Sequence, residues 1–137
     1  MNGGDPVRKA LIVIASLVCT LGSLTAAQQR SPGPAKIAAL IVTGQNGHDW
    51  RGTTPLLRQM LEDTDRFEVR VTEEFRGAGP ETLASYDVVV VVNYFDRRRP
   101  ELRWGDRADN ALLDFVRSGK GLVVYHFSTA AFDGWTE

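Results

Sequence analysis

Two hydrophobic rhythms alternate along this chain from residue 37 onward. Residues 37–43 (IAALIVT) form a near-continuous apolar run, the pattern of a strand buried on both faces of a parallel sheet. Leu56, Leu57, Met60 and Leu61 then recur at helical spacing. With Thr54 as N-cap and Pro55 in the first helical position, they predict a helix from Pro55 to about Asp63. FEVRVTEE (67–74) alternates Phe67, Val69 and Val71 with polar residues, so a second strand is expected half-exposed and near an edge. GPETLASY (79–86) has room for only a short helix, and the five valines of DVVVVVNY (87–94) mark a central third strand. Asp106 opens a helix whose Ala108, Ala111, Leu112, Phe115 and Val116 share one face. Gly119 closes it, and GLVVYHFS (121–128) is the fourth strand.

Strands alternating with helices and joined by crossovers predict an α/β domain with a parallel sheet. A right-handed crossover from the first strand to the second, then a return across the first to the third, gives the order 2-1-3-4. No helix is expected after the fourth strand, so the domain reads as incomplete at its C-terminus. There is neither an internal repeat nor a low-complexity tract.

The first 36 residues follow a different plan. Arg8 and Lys9 precede an uncharged stretch from Ala10 to Ala27 rich in Leu, Ile and Val, and Thr25 and Ala27 are small residues at its exit. This is the layout of a secretory signal peptide over residues 1–27, with the mature chain expected to begin at Gln28 in a periplasmic or secreted setting. The alternative is an uncleaved membrane anchor, since the uncharged stretch approaches the ~20 residues that span a bilayer. The single cysteine, Cys19, leaves with the leader, so the mature protein is expected to have neither a disulfide nor a thiol nucleophile. Residues 28–36, with Pro32, Gly33 and Pro34, read as a linker, and residues 37–137 as the domain.

A length of 137 residues with 43% hydrophobic and 24% charged content fits one globular domain and excludes a disordered chain. The formal net charge is -1, and it becomes -2 once residues 1–27 with Asp5, Arg8 and Lys9 are removed, so no nucleic-acid partner is expected. Arg97, Arg98 and Arg99 are the only dense basic run, and the flanking Asp96 and Glu101 make it a solvated loop.

Ligands of open α/β sheets lie outside the carboxyl ends of the strands. Three loops qualify: Gln45 to Trp50 after the first strand, Asn93, Tyr94 and Asp96 after the third, and His126, Ser128 and Thr129 after the fourth. Both histidines of the chain fall in this set. An imidazole serves as general base, proton donor or metal ligand, and a neighbouring carboxylate such as Asp49 orients it. The strand order therefore brings His48, Asn93 and His126 to one rim, with Trp50 as a wall. Seven of the twelve aromatic residues crowd the same loops (Trp50, Tyr94, Phe95, Trp104, Phe127, Phe132 and Trp135), which suits the mixed apolar and hydroxyl surface of a sugar.

GHDWRGTTPLLRQMLE (47–62), YDVVVVVNY (86–94) and ALLDFVRSGKGLVVYHFSTAAFDGW (111–135) together resemble the ThuA-like (trehalose utilisation) family over about residues 37–137. The resemblance implies a flavodoxin-like fold similar to the class I glutamine amidotransferase domain, in a domain roughly twice this length. The chain is thus expected to be an N-terminal fragment. It also implies carbohydrate metabolism on a trehalose-type or oxidised disaccharide. The amidotransferase nucleophile is absent: Tyr125-His126-Phe127-Ser128 has neither Cys nor the small neighbours of a strained elbow. The expected site uses His48, Asp49 and His126 for catalysis and Trp50, Asn93, Tyr94 and Ser128 for ligand contact. The expected partner is a small-molecule sugar, with membrane association only through an uncleaved leader. A divalent metal on His48, Asp49 and His126 stays open as a cofactor. Other readings are a non-catalytic carbohydrate-binding or interaction module, and a metal-dependent or serine-type hydrolase.

Overall fold

In a computed structural model of the chain, residues 33–94, 99, 101 and 103–132 are described. The expected leader over 1–27, most of the linker, and Phe95, Asp96, Arg97, Arg98 and Trp135 lie outside these residues. Among the described residues, no helix is long and apolar enough to cross a membrane.

Four parallel strands form one sheet in the order β2-β1-β3-β4. They are β1 (Ile37–Thr43), β2 (Phe67–Thr72), β3 (Val88–Val92) and β4 (Gly121–Tyr125). Among the described residues three α-helices accompany them, α1 (Trp50–Glu62), α2 (Pro80–Leu83) and α3 (Asp106–Arg117). The register pairs Ile41 with Val71 on one side and Val90 on the other, and Val90 in turn with Val123. Residues Ala39 to Thr43 of β1 are all buried, as their unbroken apolar run requires.

The core lies on both faces of the sheet. Leu40, Val42, Val89 and Val91 point to one face and pack under Ala111, Leu112 and Phe115 of α3. Ala39, Ile41, Val69 and Val92 point to the other, under Leu57 and Leu61 of α1. Each fully buried side chain of this size contributes about 1.5–3 kcal/mol. The α3 boundary is the one the sequence predicts. The Gly119 N–H donates to Val116 O at 2.9 Å and the Lys120 N–H to Phe115 O at 3.3 Å, the paired bonds of a Schellman cap, with Gly119 at φ 91°.

Three expectations need correction. Helix α1 begins at Trp50 rather than Pro55, because Asp49 caps it: its Oδ1 accepts the Gly52 N–H at 2.9 Å. Thr54 is therefore an interior residue and Pro55 sits inside the helix. The apolar face of α1 is also turned. Leu56 and Met60 are 63% and 66% exposed, while Leu57 and Leu61 meet the sheet. Finally, β4 ends at Tyr125, and a 3-10 helix over His126–Phe132 follows where no helix was expected. His126 has φ 53°, so the chain leaves the sheet in a left-handed turn instead of extending to Ser128. Strand β3 likewise stops at Val92, before Asn93 and Tyr94.

Candidate functional site

The three strands β1, β3 and β4 lie side by side, so their carboxyl ends occupy adjacent points of one rim, ~10 Å from first to last at ordinary strand spacing. Each leaves the sheet through a residue in the left-handed region: Gln45 (φ 65°) after Gly44 (φ 96°), Asn93 (φ 48°) and His126 (φ 53°). For residues with a Cβ this conformation is uncommon and costs about 1–2 kcal/mol, and such strain collects at functional sites.

After β1, the chain is held by its own polar groups. Asn46 Oδ1 accepts the His48 N–H at 2.6 Å, and the Trp50 N–H donates to His48 O at 2.7 Å across Asp49. His48 is left exposed at the tip. Its ring stands 4.8 Å from that of His126, centroid to centroid, at 71° in an edge-to-face contact, and also 4.8 Å from the ring of Phe127. Two imidazoles separated by 78 positions in the chain are thus brought together on the surface of the rim. In the neutral form each carries one N–H donor and one lone-pair nitrogen, so the pair can take up and return a proton at one place.

Asn93 lies between them in strand order and is 3% exposed. Among the described residues its Oδ1 has no hydrogen-bond partner, and neither has the buried Nδ2 of Asn46. The Asn46 amide orientation is fixed by its bond from His48, so the group left over is a donor. A buried donor or acceptor left without a partner costs about 1–3 kcal/mol.

The remaining sequence candidates have other duties in this structure. Asp49 spends its carboxylate on the helix cap, and among the described residues no group of three or more His, Cys, Asp or Glu is arranged to hold a metal ion. Ser128 is fully buried, and its Oγ accepts the Tyr94 N–H at 3.2 Å, tying the 3-10 helix to the exit of β3. Tyr94 is also fully buried, with its ring 5.4 Å from Trp104, and Phe75 packs on the other partner of that cluster, 4.8 Å from Trp104. Burial pushes the Tyr94 phenol above its ordinary range. Arg99 pairs with Glu101 at 3.5 Å, as a solvated loop would.

Trp50 faces a different recess. It is 8% exposed, the Arg51 guanidinium lies 4.0 Å over its ring, and both line a pocket of about 360 Å3 between α1 and the ends of β1 and β2. The pocket also takes in Thr54, Arg58, Val71 and Glu73. Sequence reasoning did not find this set, since only the β1–β2 pairing carries Glu73 to the first turns of α1. A second pocket, about 280 Å3, lies at the opposite end of the sheet between α2 and α3, beside Lys120.

The family model described as trehalose utilisation (ThuA) matches residues 38–137. The chain belongs to the ThuA family. Among solved structures, it is similar to a protein of Parabacteroides merdae ATCC 43184 described as ThuA-like. The two share 29% identity at a TM-score of 0.60, over 74% of this chain and 36% of that one, so this ThuA chain spans little more than a third of its structural relative. No match is found among curated proteins. The strand order is that of a flavodoxin-like parallel sheet.

Proposed function

We propose that this ThuA domain handles a trehalose-type or oxidised disaccharide outside the cytoplasm, with His48 and His126 sharing the acid and base work at the rim of β1, β3 and β4. The observation that carries the reading is the contact of two exposed imidazoles, 4.8 Å between centroids, supplied by separate strand exits. A sugar hydroxyl both donates and accepts, as each neutral imidazole of the pair does. Phe127 beside His48 offers an apolar surface for ring carbons. The leader plan of residues 1–27 supports the exported setting.

His126→Ala in the full chain tests it. Loss of sugar turnover by about 100-fold or more, with an unchanged circular dichroism spectrum, is expected of an acid or base group. Turnover unchanged in both His126→Ala and His48→Ala would refute the assignment. Sugar binding without turnover in the parent protein, retained in both variants, would favour the non-catalytic carbohydrate module.

A further inference from the structure

The pocket beside Trp50 belongs to the same carboxyl rim as the imidazole pair but opens on the β2 side. We infer that it is a second saccharide subsite, which holds the far ring of a two-ring sugar whose near ring lies at His48 and His126. The inference rests on the saccharide reading of the rim and adds to it the place and chemistry of a second ring.

The chemistry of the walls selects the ligand. Arg51 and Glu73 are of opposite charge, line the same recess, and among the described residues have no ion pair. Arg58 is already paired with Glu62 at 3.0 Å, one helical turn on. With Arg58 offset by Glu62 outside the lining, Arg51 and Glu73 are left as one charge of each sign, which suits a neutral guest rich in hydroxyls. A carboxylate accepts from a hydroxyl and a guanidinium donates to it, each as a charge-assisted bond. Stacking on Trp50 holds the planar fork of Arg51 in one orientation, so little freedom is lost when it binds. Val71 and the indole supply apolar surface for ring carbons, and about 360 Å3 falls within the ~300–1,000 Å3 of small-molecule pockets.

The placement fits two linked rings. A Cβ on Gly44 would meet Glu73 at 3.7 Å and Trp50 at 3.8 Å, so this glycine sits where the pocket begins, and His48 lies four residues on in the same loop. The pocket lies at the ends of β2 and β1 and His48 follows β1, so along the rim the two are one strand spacing apart, ~4.8 Å, which two linked rings can bridge.

Isothermal titration of the full chain with glucose and with trehalose tests the inference. Trehalose should bind at least ten-fold more tightly than glucose. Arg51→Ala and the near-isosteric Glu73→Gln should each bring trehalose down towards the glucose value. Equal affinities for the two sugars, or trehalose affinity undiminished in both variants, would overturn the subsite and leave the saccharide reading of the rim standing. Tighter binding of gluconate than of trehalose would overturn the neutral-ligand assignment. Failure of both glucose and trehalose to bind would overturn the subsite and the proposed function together.

Discussion

Thr43 and Thr54 face each other across the β1–α1 interface with their hydroxyl oxygens 2.7 Å apart, and at 1% and 6% exposure neither has water as an alternative. Thr54→Val keeps the side-chain shape and removes one hydroxyl. The Thr43 hydroxyl, fixed on a buried strand, is then left unpaired at a cost of about 1–3 kcal/mol. Thr43→Val should cost less, about 1 kcal/mol, because a helical threonine can turn its hydroxyl to the carbonyl four residues back, here Trp50. The double variant removes both polar groups and should be close to the Thr43→Val level. The two single costs should thus exceed the double cost by about 1–3 kcal/mol. Urea unfolding followed by circular dichroism reads this directly. With a slope of about 2 kcal/mol per molar, Thr54→Val should lower the midpoint by about 1 M. Costs that add to within about 0.5 kcal/mol would refute the reasoning, since they would mean that the hydroxyls do not depend on each other.

Two further outcomes are expected. Asp87 accepts hydrogen bonds from Lys120 at 2.7 Å and from the Ala38 N–H at 3.0 Å, which hold its carboxyl below the ordinary range, Lys120 contributing most. A lowered folded-state pKa stabilises above the unfolded value, about 3.9, and this stabilisation fades as pH falls through the folded value. The melting-temperature advantage of the parent over Asp87→Asn should therefore shrink below about pH 4; a constant gap down to about pH 2 would contradict it. At His126, the left-handed backbone predicts that His126→Gly is more stable than His126→Ala by about 1 kcal/mol, because only alanine keeps the strain. Denaturant midpoints decide it, and an alanine variant as stable as the glycine one would show the turn to be unstrained.

The sheet was legible because β1 and β3 are apolar without interruption and β2 alternates, so burial and edge position could be read from the residues themselves. The strand order followed from handedness, and with it the placing of His48 and His126 on one rim. The start of α1 was not legible. Thr54-Pro55 has the form of a helix opening, but Asp49 reaches the Gly52 N–H first, and Trp50 to Thr53 show no apolar stripe. Within LLRQML, two stripes one residue apart are equally apolar, and only packing against Val69 and Ile41 selects Leu57 and Leu61 over Leu56 and Met60. Ser128 and Tyr94 appeared as loop residues available to a ligand, whereas contact between the exits of β3 and β4 buries both. The left-handed exits and the Arg51–Glu73 pocket depend on tertiary closure, which leaves no local signal.

The left-handed exits at Gln45, Asn93 and His126 also act as a filter on heredity. A codon change that introduces Val, Ile or Thr at any of them puts a branched Cβ into a conformation that such residues rarely adopt, while Gly enters freely and Asn, Asp and His are the side chains most often found there. The side chains that pass are small, polar or titratable. The turn that carries the chain off the sheet thus biases the rim towards glycine and short polar or titratable side chains, whatever ligand is being selected for. New specificity would arise more readily in the loops beyond these positions, where the backbone imposes no such restriction.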